Sequence, residues 1–230
     1  MSTDRWIEFW QAYGRSTSNG DEQTHVLRTR NRQPIEAERW RFTLEDLDSK
    51  FPVGPEDDLL DLCCGNGLFT RHFAQRCSSV VAVDISVDLL RSLKRLCLPH
   101  VKPLHGDIRS LGFAKGAFSR VLLYAGVQYL SEGETVALFR DIFSWLRPAG
   151  VLFVGDVPDR NRLWCFYDTP ERRALYFDSR ITDRDVVGTW YDAEWLVRLA
   201  ESTGFRQAKP LPQPPELIYT HFRFDLKVIR

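Results

Sequence analysis

The sequence predicts an α/β protein with a doubly wound, mostly parallel sheet. Short apolar runs alternate with helix-like amphipathic segments between residues 57 and 156. A glycine-rich turn follows the first apolar run, as it does where a buried parallel strand leads into a helix. The chain has 230 residues, enough for one domain with a substantial core. We therefore expect one α/β core, over residues 57–230, with helices on both faces of its sheet.

The first 56 residues are predicted to form a helical cap or lid over this core. Four aromatic residues recur every three or four positions, which predicts an amphipathic helix. They are Trp6, Phe9, Trp10 and Tyr13. The polar stretch 14–33 is expected to be a loop that orders over a ligand, or else a mobile leader. Pro34 is expected to begin a second helix that runs to Leu47.

The predicted core elements follow in order. The strands are 59–63, 80–83, 101–105, 120–124 and 151–154, the last preceded by a Pro148-Ala149-Gly150 turn. The helices are 68–76, 87–96 with Ser86 as N-cap, 134–146 and 193–203, the last ended by Gly204. Apolar and charged residues alternate from Phe222 to Val228, which predicts a final strand with one buried face. An acceptor-side insertion at about 157–190 fits neither the helical nor the strand period of apolar residues.

Composition narrows the functional class. Thirty-one basic and 31 acidic residues give no net charge, so no nucleic-acid partner is expected. No apolar run approaches the roughly 18 residues that a membrane span needs, and the N-terminus lacks a signal-like pattern, which predicts a cytoplasmic protein without a membrane partner. Five cysteines without paired spacing indicate reduced thiols and no metal site. A monomer or homodimer is expected.

The acids at the strand ends predict the ligand. Parallel strands place their carboxyl ends at one edge of the sheet, where ligands bind. Gly65 and Gly67 allow a tight turn there, and the following helix offers free amides to an anionic group. Asp84, 17 positions after Gly67, is placed to accept hydrogen bonds from ribose hydroxyls. Asp107 and Asp156 end two further strands. An adenosine-containing ligand is therefore predicted.

Four motifs, in this order and spacing, resemble those of class I S-adenosylmethionine-dependent methyltransferases of the small-molecule type. They read D-L-C-C-G-N-G, V-V-A-V-D, H-G-D-I and L-R-P-A-G-V-L-F-V-G-D-V-P. The resemblance implies a seven-stranded sheet whose last strand is antiparallel, and the cofactor S-adenosyl-L-methionine. It also implies that Asp61 and Gly65 hold the methionine amino end, Asp84 the ribose, and Asp107 with the Ile108 amide the adenine.

The full set of expected cofactor-binding residues is Arg28, Asp61, Cys63, Gly65, Asn66, Gly67, Asp84, Ile85, Asp107, Ile108 and Tyr124. Among them, Ile85 is expected to pack on the adenine face, and Arg28 to pair with the methionine carboxylate. Cys63 stands where the family usually has glycine, which puts the closest backbone approach at that point in question. No metal is expected, because methyl transfer from a sulfonium mainly needs alignment of the acceptor lone pair.

Residues on the acceptor side are the candidates for catalysis. Gln128 lies in the loop after the fourth strand, Tyr191 follows the insertion, and His221 lies with Arg223 at the start of the last strand. These three, Gln128, Tyr191 and His221, are the predicted catalytic residues. The end of the fourth strand reads L-Y-A-G rather than N-P-P-Y, which disfavours DNA amines and protein glutamine as acceptors.

The aromatic and arginine-rich insertion favours a polar small-molecule acceptor such as a sugar, a nucleotide-linked sugar or a natural-product intermediate, methylated on oxygen or nitrogen. Two other classes stay open. A nicotinamide-dependent oxidoreductase shares the glycine loop and the ribose acid, although its G-x-G-x-x-G fingerprint is not met here. A non-catalytic adenosyl-ligand-binding module would keep the same fold.

Overall fold

The structure, a computed structural model, describes residues 4–16, 21–30, 32–182 and 184–230. Residues 17–20 and 31, part of the predicted loop, lie outside these ranges. A short antiparallel pair is formed by β1 (Thr29–Arg30) and β2 (Gln33–Pro34). The main sheet has seven strands: β3 (Asp58–Leu62), β4 (Ser79–Asp84), β5 (Val101–His105), β6 (Phe118–Tyr124), β7 (Leu146–Pro158), β8 (Gln207–Pro212) and β9 (Arg223–Ile229).

The strand order is β5-β4-β3-β6-β7-β9-β8, so the order reverses beside β3. Strands β3 to β7 pair in parallel, and β9 lies antiparallel between β7 and β8. This confirms the doubly wound, mostly parallel seven-stranded sheet and its antiparallel last strand. It also brings the carboxyl ends of β3, β4, β5 and β6 to one edge.

The helices are α1 (Asp4–Ser16), α2 (Ala37–Lys50), α3 (Thr70–Ala74), α4 (Val87–Arg95), α5 (Glu132–Trp145), α6 (Leu163–Phe166), α7 (Pro170–Thr182) and α8 (Ala193–Thr203). Ser86 caps α4 as predicted, since its hydroxyl accepts the backbone N–H of Leu89. A capping box formed by Ser131 and Glu134 starts α5. Gly204, with φ 105°, ends α8 as predicted.

Two predicted elements differ in detail from the structure. Pro34 lies in β2, and α2 begins three residues later at Ala37. The predicted turn at Pro148-Ala149-Gly150 lies within β7, where the pairing with β6 shifts register between Phe118 and Arg120. Ala149 in this irregular stretch has left-handed backbone, with a φ of 62°. The insertion, which showed no clear period, contains α6 and α7.

Two apolar clusters cover the two faces of the sheet. Successive side chains of β3 point to opposite faces of the sheet. Leu60 and Leu62 therefore lie in one cluster, with side chains of α5 and α8. Leu59 lies in the other, with side chains of α2, α3 and α4. A third, aromatic cluster joins the insertion to residues just before β9 and contains Tyr167 and Trp190. Among the described helices, none is long and apolar enough to cross a membrane.

Candidate active site

A cavity of about 150 Å³ lies at the carboxyl ends of β3, β4, β5 and β6. Most residues predicted to bind the cofactor line it, namely Arg28, Cys63, Gly65, Asn66, Asp84, Ile85, Asp107, Ile108 and Tyr124. Trp6, Ile7 and Trp10 of α1 close one side of the cavity. The aromatic helix predicted at the N-terminus therefore packs over the same edge as the glycine loop.

The loop after β3 is shaped by left-handed backbone. Gly65 and Gly67 have φ values of 58° and 89°, and Cys63 adopts 59° although it carries a side chain. A Cβ on Gly65 would lie 2.8 Å from Cγ1 of Val26, so glycine is required there both by conformation and by space. Cys63 thus keeps the backbone conformation that glycine usually supplies.

Asp84 holds this loop in place. Its Oδ2 accepts the N–H of Gly65 and its Oδ1 that of Ser86, each at 2.8 Å. Burial raises the pKa of Asp84, and these two backbone N–H groups oppose the rise. The carboxylate predicted to bind ribose is therefore also part of the loop's own structure.

Asp107 is clamped by an arginine that the sequence analysis did not identify. Arg109 donates to both carboxylate oxygens, with Nε at 3.0 Å from Oδ1 and Nη2 at 2.6 Å from Oδ2. Nη1 of Arg109 also reaches Asp4 of α1 and Glu134 of α5, each at 3.1 Å. Arg109 therefore ties Asp107, a residue of the cavity lining, to α1, which closes one side of the cavity.

Asp61 and Gly67 do not line the cavity. Asp61 is buried and its Oδ2 accepts the Thr70 hydroxyl at 2.6 Å, which connects β3 to α3. Burial raises the pKa of Asp61 to about 7, against the lowering effect of the Thr70 hydrogen bond. The expected contact of Asp61 with the methionine amino group stays a prediction.

Arg28 is buried and lines the same cavity as Asp107. Its Nη1 lies 2.6 Å from Asp156 Oδ2, and its Nη2 donates to the Tyr124 hydroxyl at 3.1 Å. The pKa of Asp156 is lowered, because the charges of Arg28 and Arg223 and a hydrogen bond from Gln213 outweigh the opposing effect of burial. The sequence analysis named Arg28 and Asp156 but not their pairing, which spans 128 positions.

Two buried polar atoms on the cavity wall lack a hydrogen-bond partner within the described part of the chain. They are Nε of Arg28, a donor, and Oδ1 of Asn66, an acceptor. Buried polar groups are normally paired, so an unpaired donor and an unpaired acceptor on one wall indicate a ligand that carries both complements. The carboxylate and ammonium of a methionine moiety are such complements, so the residues present fit S-adenosyl-L-methionine.

The three predicted catalytic residues lie outside the cavity lining. The hydroxyl of Tyr191 is held in the core by Thr135 at 2.7 Å and by the carbonyl of Leu130 at 3.1 Å, which gives this side chain a structural part. Gln128 is buried, and its backbone carbonyl accepts the N–H of Thr189. His221 is exposed, with its ring against Phe222. Their catalytic roles stay predictions.

Comparison with known proteins shows similarity to methyltransferases. Residues 59–150 match a family described as a methyltransferase domain. An uncharacterized methyltransferase from Synechocystis is 27% identical over 115 residues, which are 50% of this chain and 53% of that protein. A demethylmenaquinone methyltransferase from Corynebacterium kroppenstedtii is 27% identical over 183 residues, 73% of this chain and 75% of that protein. The chain thus spans between about half and three quarters of these relatives.

A solved structure agrees in fold. The phosphoethanolamine N-methyltransferase 1 of Haemonchus contortus, in complex with phosphoethanolamine and S-adenosylhomocysteine, matches with a TM-score of 0.68 and 15% identity, over 100% of this chain and 50% of that chain. The match to a methyltransferase domain, the order of the strands and the position of the cavity all agree with such a fold. Residues 59–150 therefore resemble a methyltransferase domain, and the chain has the class I, Rossmann-like fold.

Proposed function

We propose that this chain transfers a methyl group from S-adenosyl-L-methionine to an oxygen or nitrogen atom of a polar small molecule. The observation that carries the proposal is the cavity itself. Its lining combines the left-handed glycine loop and Asp84 with the unpaired Nε of Arg28 and Oδ1 of Asn66. These groups match the carboxylate, ammonium and ribose of one ligand.

In this proposal each end of the cavity binds one part of the cofactor. Arg28 and Asn66 bind the methionine end, Asp84 the ribose, and Asp107 with Ile108 the adenine. The bound cofactor supplies a methyl group already activated on a sulfonium, so that transfer to an acceptor lone pair leaves S-adenosylhomocysteine. The chain's contribution is to align the acceptor and to exclude water.

The titratable side chains of the cavity wall are poorly suited to act as a general base. Burial raises the pKa of Tyr129 and that of Tyr124, so both phenols stay protonated near neutral pH and act as hydrogen-bond donors. Among the described residues that line the cavity there is no histidine. An acceptor whose lone pair is free near neutral pH, such as an anionic oxygen or an amine of low pKa, is therefore favoured over an alcohol.

The way in which α1 closes the cavity favours a small acceptor. Rings of Trp6 and Trp10 pack on Tyr129, with centroids 4.9 Å and 5.7 Å away. Arg5, also on α1, donates to the carbonyl of Asp185 in the insertion at 2.8 Å. A bound acceptor would thus be enclosed between α1 and the insertion. A single-chain or homodimeric cytoplasmic enzyme without nucleic-acid or membrane partners remains part of the proposal.

A second candidate acceptor is an apolar ring such as a quinol. It rests on the demethylmenaquinone methyltransferase that aligns with 73% of this chain, and on the apolar wall formed by Trp6, Ile7 and Trp10. An apolar acceptor would place little demand on the buried arginines. Assays with soluble quinol analogues and with small amines and acids, read by mass spectrometry of the product, separate the two candidates.

Calorimetry of the purified chain with S-adenosylhomocysteine and with NADH tests the reaction class. Binding of the first and not the second is expected, and the reverse result would support an oxidoreductase. Product formation then distinguishes an enzyme from a binding module. We also expect transfer to survive a chelator; loss in chelator and recovery with magnesium would contradict metal independence and direct attention to Asp156 and Asp159.

A further inference from the structure

Asp156 does not line the cavity but contacts a residue that does. Its side chain is buried, and its Oδ2 lies 2.6 Å from Nη1 of Arg28. Arg28 lines the cavity, and its Nε is a buried donor without a partner in the described part of the chain. An influence of Asp156 on a ligand in the cavity is therefore indirect, through Arg28.

The backbone at Asp156 departs from a regular strand. The pairing of β7 with β9 shifts register between Val154 and Val157, and Asp156, within this shift, has a φ of 61°. A residue with a side chain keeps such a left-handed conformation only where its surroundings impose it. Here Asp225 Oδ1 accepts the N–H of Asp156 at 2.9 Å, and Arg223 Nη1 donates to its carbonyl. The direction of the Asp156 side chain is thus fixed by local structure.

The charges around Asp156 balance. Its Oδ1 accepts the amide nitrogen of Gln213 at 3.1 Å, which adds no charge. Within the described residues, three cations of this network face three carboxylates, and these are Arg28, Arg223 and Lys50, with Asp46, Asp156 and Asp225. A ligand group that brings one carboxylate and one ammonium keeps this balance. The methionine end of S-adenosyl-L-methionine is such a group.

Arg28 reaches this network from the N-terminal segment. Its Nη2 donates to the Tyr124 hydroxyl at 3.1 Å, and the Tyr219 hydroxyl donates to the carbonyl of the next residue, Thr29, at 2.8 Å. The Tyr219 ring also lies 5.6 Å from the guanidinium carbon of Arg28. Of these partners Asp156 is the one that carries a negative charge, so it offsets most of the cost of burying the guanidinium.

We propose that Asp156 is a positioning residue that directs the Nε of Arg28 to the carboxylate of the cofactor, and so makes the cavity selective for adenosyl ligands with an amino-acid end. The inference rests on the proposed function, because it takes S-adenosyl-L-methionine to occupy the cavity. Asp156 and Tyr124 engage Nη1 and Nη2, which leaves Nε for the ligand. Without Asp156 the guanidinium would be a buried cation short of a partner, and the N-terminal segment could carry it away from the cavity wall.

A competing effect of Asp156 has the opposite sign. Asp156 and the cofactor carboxylate carry the same charge, so an Arg28 that stayed in place without Asp156 would attract the ligand more strongly. The proposal requires that the loss of position outweighs this gain. The sign of the change in affinity therefore separates a positioning role from a purely electrostatic one.

The test compares two ligands by calorimetry on the intact chain. S-adenosylhomocysteine carries the amino-acid end, whereas methylthioadenosine has the same adenosine and thioether without it. Asp156→Asn should weaken binding of S-adenosylhomocysteine at least about tenfold, the effect of losing a charge-assisted hydrogen bond. Its affinity for methylthioadenosine should stay within about threefold of wild type, because that ligand lacks the group that Arg28 binds. A general loosening of the fold would weaken both ligands alike.

A double-mutant cycle shows whether Asp156 acts through Arg28. Arg28→Gln should weaken binding of S-adenosylhomocysteine by a similar factor, and adding Asp156→Asn to it should change the affinity by no more than about threefold. The double variant removes one charge of each sign, so the network stays balanced. Asp168→Asn is the matched control, since it takes a carboxylate from an exposed pair with Arg172 at 2.9 Å, and it should change neither affinity.

Asp156→Glu tests position at constant charge. The carboxylate is kept but moves by one methylene, so an electrostatic role would survive and a positioning role would not. Binding of S-adenosylhomocysteine should fall at least about threefold, with methylthioadenosine unaffected. This variant also carries the test if Asp156→Asn does not fold.

Unchanged or stronger binding of S-adenosylhomocysteine by Asp156→Asn or, if that variant does not fold, by Asp156→Glu would overturn the inference. An equal loss for both ligands would do the same, as would a wild-type protein that binds both equally well. A further large loss when Asp156→Asn is added to Arg28→Gln would show that Asp156 acts by another route. If wild type does not bind S-adenosylhomocysteine, the proposed function itself fails, and the inference fails with it.

Discussion

The two halves of the cavity edge are held together in different ways. In the cofactor half, backbone groups hold the acids: Asp84 accepts the N–H groups of Gly65 and Ser86, and Asp107 accepts that of Arg109, two residues further on. In the other half, at the ends of β7 and β9 and called the β7–β9 half, side chains far apart in the sequence hold one another, as Arg28 and Asp156 do. Short motifs can therefore specify the first half, whereas the second exists only once the whole chain has folded.

The pKa values of two buried acids, Asp61 and Asp156, also differ between the two halves. Burial raises the pKa of Asp61 to about 7, and no cation is in salt-bridge range of it within the described residues. The pKa of Asp156 is lowered, because two guanidinium groups overcome an equally deep burial. Burial thus favours the neutral form of Asp61, whereas the charges of two arginines favour the ionised form of Asp156 in the β7–β9 half.

The largest expected effect tests the local construction of the cofactor half. Gly65→Val should abolish measurable binding of S-adenosylhomocysteine, because a branched side chain would meet Val26 on the cavity wall. Gly116→Val is the matched control: Gly116 has a similar φ of 65° but meets nothing closer than Arg147 Cγ at 3.9 Å. Both variants should lose about 1–3 kcal/mol of stability from backbone strain, and Gly116→Val should still bind. Calorimetry on folded protein decides, and normal binding by Gly65→Val would show that the ligand does not approach this loop.

Removing Asp156 tests the charge compensation in the β7–β9 half. Asp156→Ala leaves Arg28 and Arg223 buried without a carboxylate, so the free energy of unfolding should fall by about 3–5 kcal/mol. Asp168→Ala breaks an exposed ion pair with Arg172 and should cost at most about 1 kcal/mol. Urea unfolding of both variants measures the difference. Equal losses would mean that the buried arginines do not depend on Asp156.

The third prediction concerns pH and Asp61. Its folded pKa of about 7 lies above the unfolded value near 3.9, so the folded state holds the proton more tightly. The stability that Asp61 contributes is therefore complete below about pH 4 and is lost as pH rises through about 7, by an amount on the order of 2–4 kcal/mol. Asp61→Asn should remove this part of the pH dependence, as read by urea unfolding between pH 5 and 8.

Asp156 serves as the internal reference for this measurement. Its pKa is lowered, so its contribution has the opposite sign: it is present above the unfolded pKa and is lost as pH falls through the folded one. Asp156 is ionised in both states across pH 5 to 8, and its contribution does not change there. Identical slopes in wild type and Asp61→Asn would show that Asp61 is ionised in the folded protein at neutral pH.

The smallest expected effect concerns Asp84, whose carboxylate belongs to both the loop and the ligand site. Asp84→Ala should weaken binding of S-adenosylhomocysteine by about 1–3 kcal/mol, because the ribose hydroxyls lose a charged acceptor. Calorimetry with S-adenosylhomocysteine measures the loss, and an unchanged affinity would remove Asp84 from the ribose site.

More of the cofactor half than of the other half could be predicted from the sequence. The sheet, its strand ends and the acids Asp84 and Asp107 followed from periodicity and from motifs a few residues long. The clamp of Arg109 on Asp107 was missed, although a spacing of two residues made it accessible. The partnership of Arg28 with Asp156, and the position of Tyr219 between Arg28 and Arg223, follow from no local pattern. They depend on how the N-terminal segment docks, which only tertiary packing determines.

Two cations that pair with buried acids of the core come from the N-terminal segment, which the sequence analysis separated from the core at residue 56. Arg28 and Lys50 come from the N-terminal segment, and they neutralise Asp156 and Asp225 of the core across 128 and 175 positions of the chain. Residues 57–230 expressed alone would therefore bury two carboxylates without these counter-ions. During synthesis residues 1–56 leave the ribosome before the acids that pair with them. The ion pair of Lys50 with Asp225 must wait for β9, so completion of the fold depends on contacts distant in the sequence.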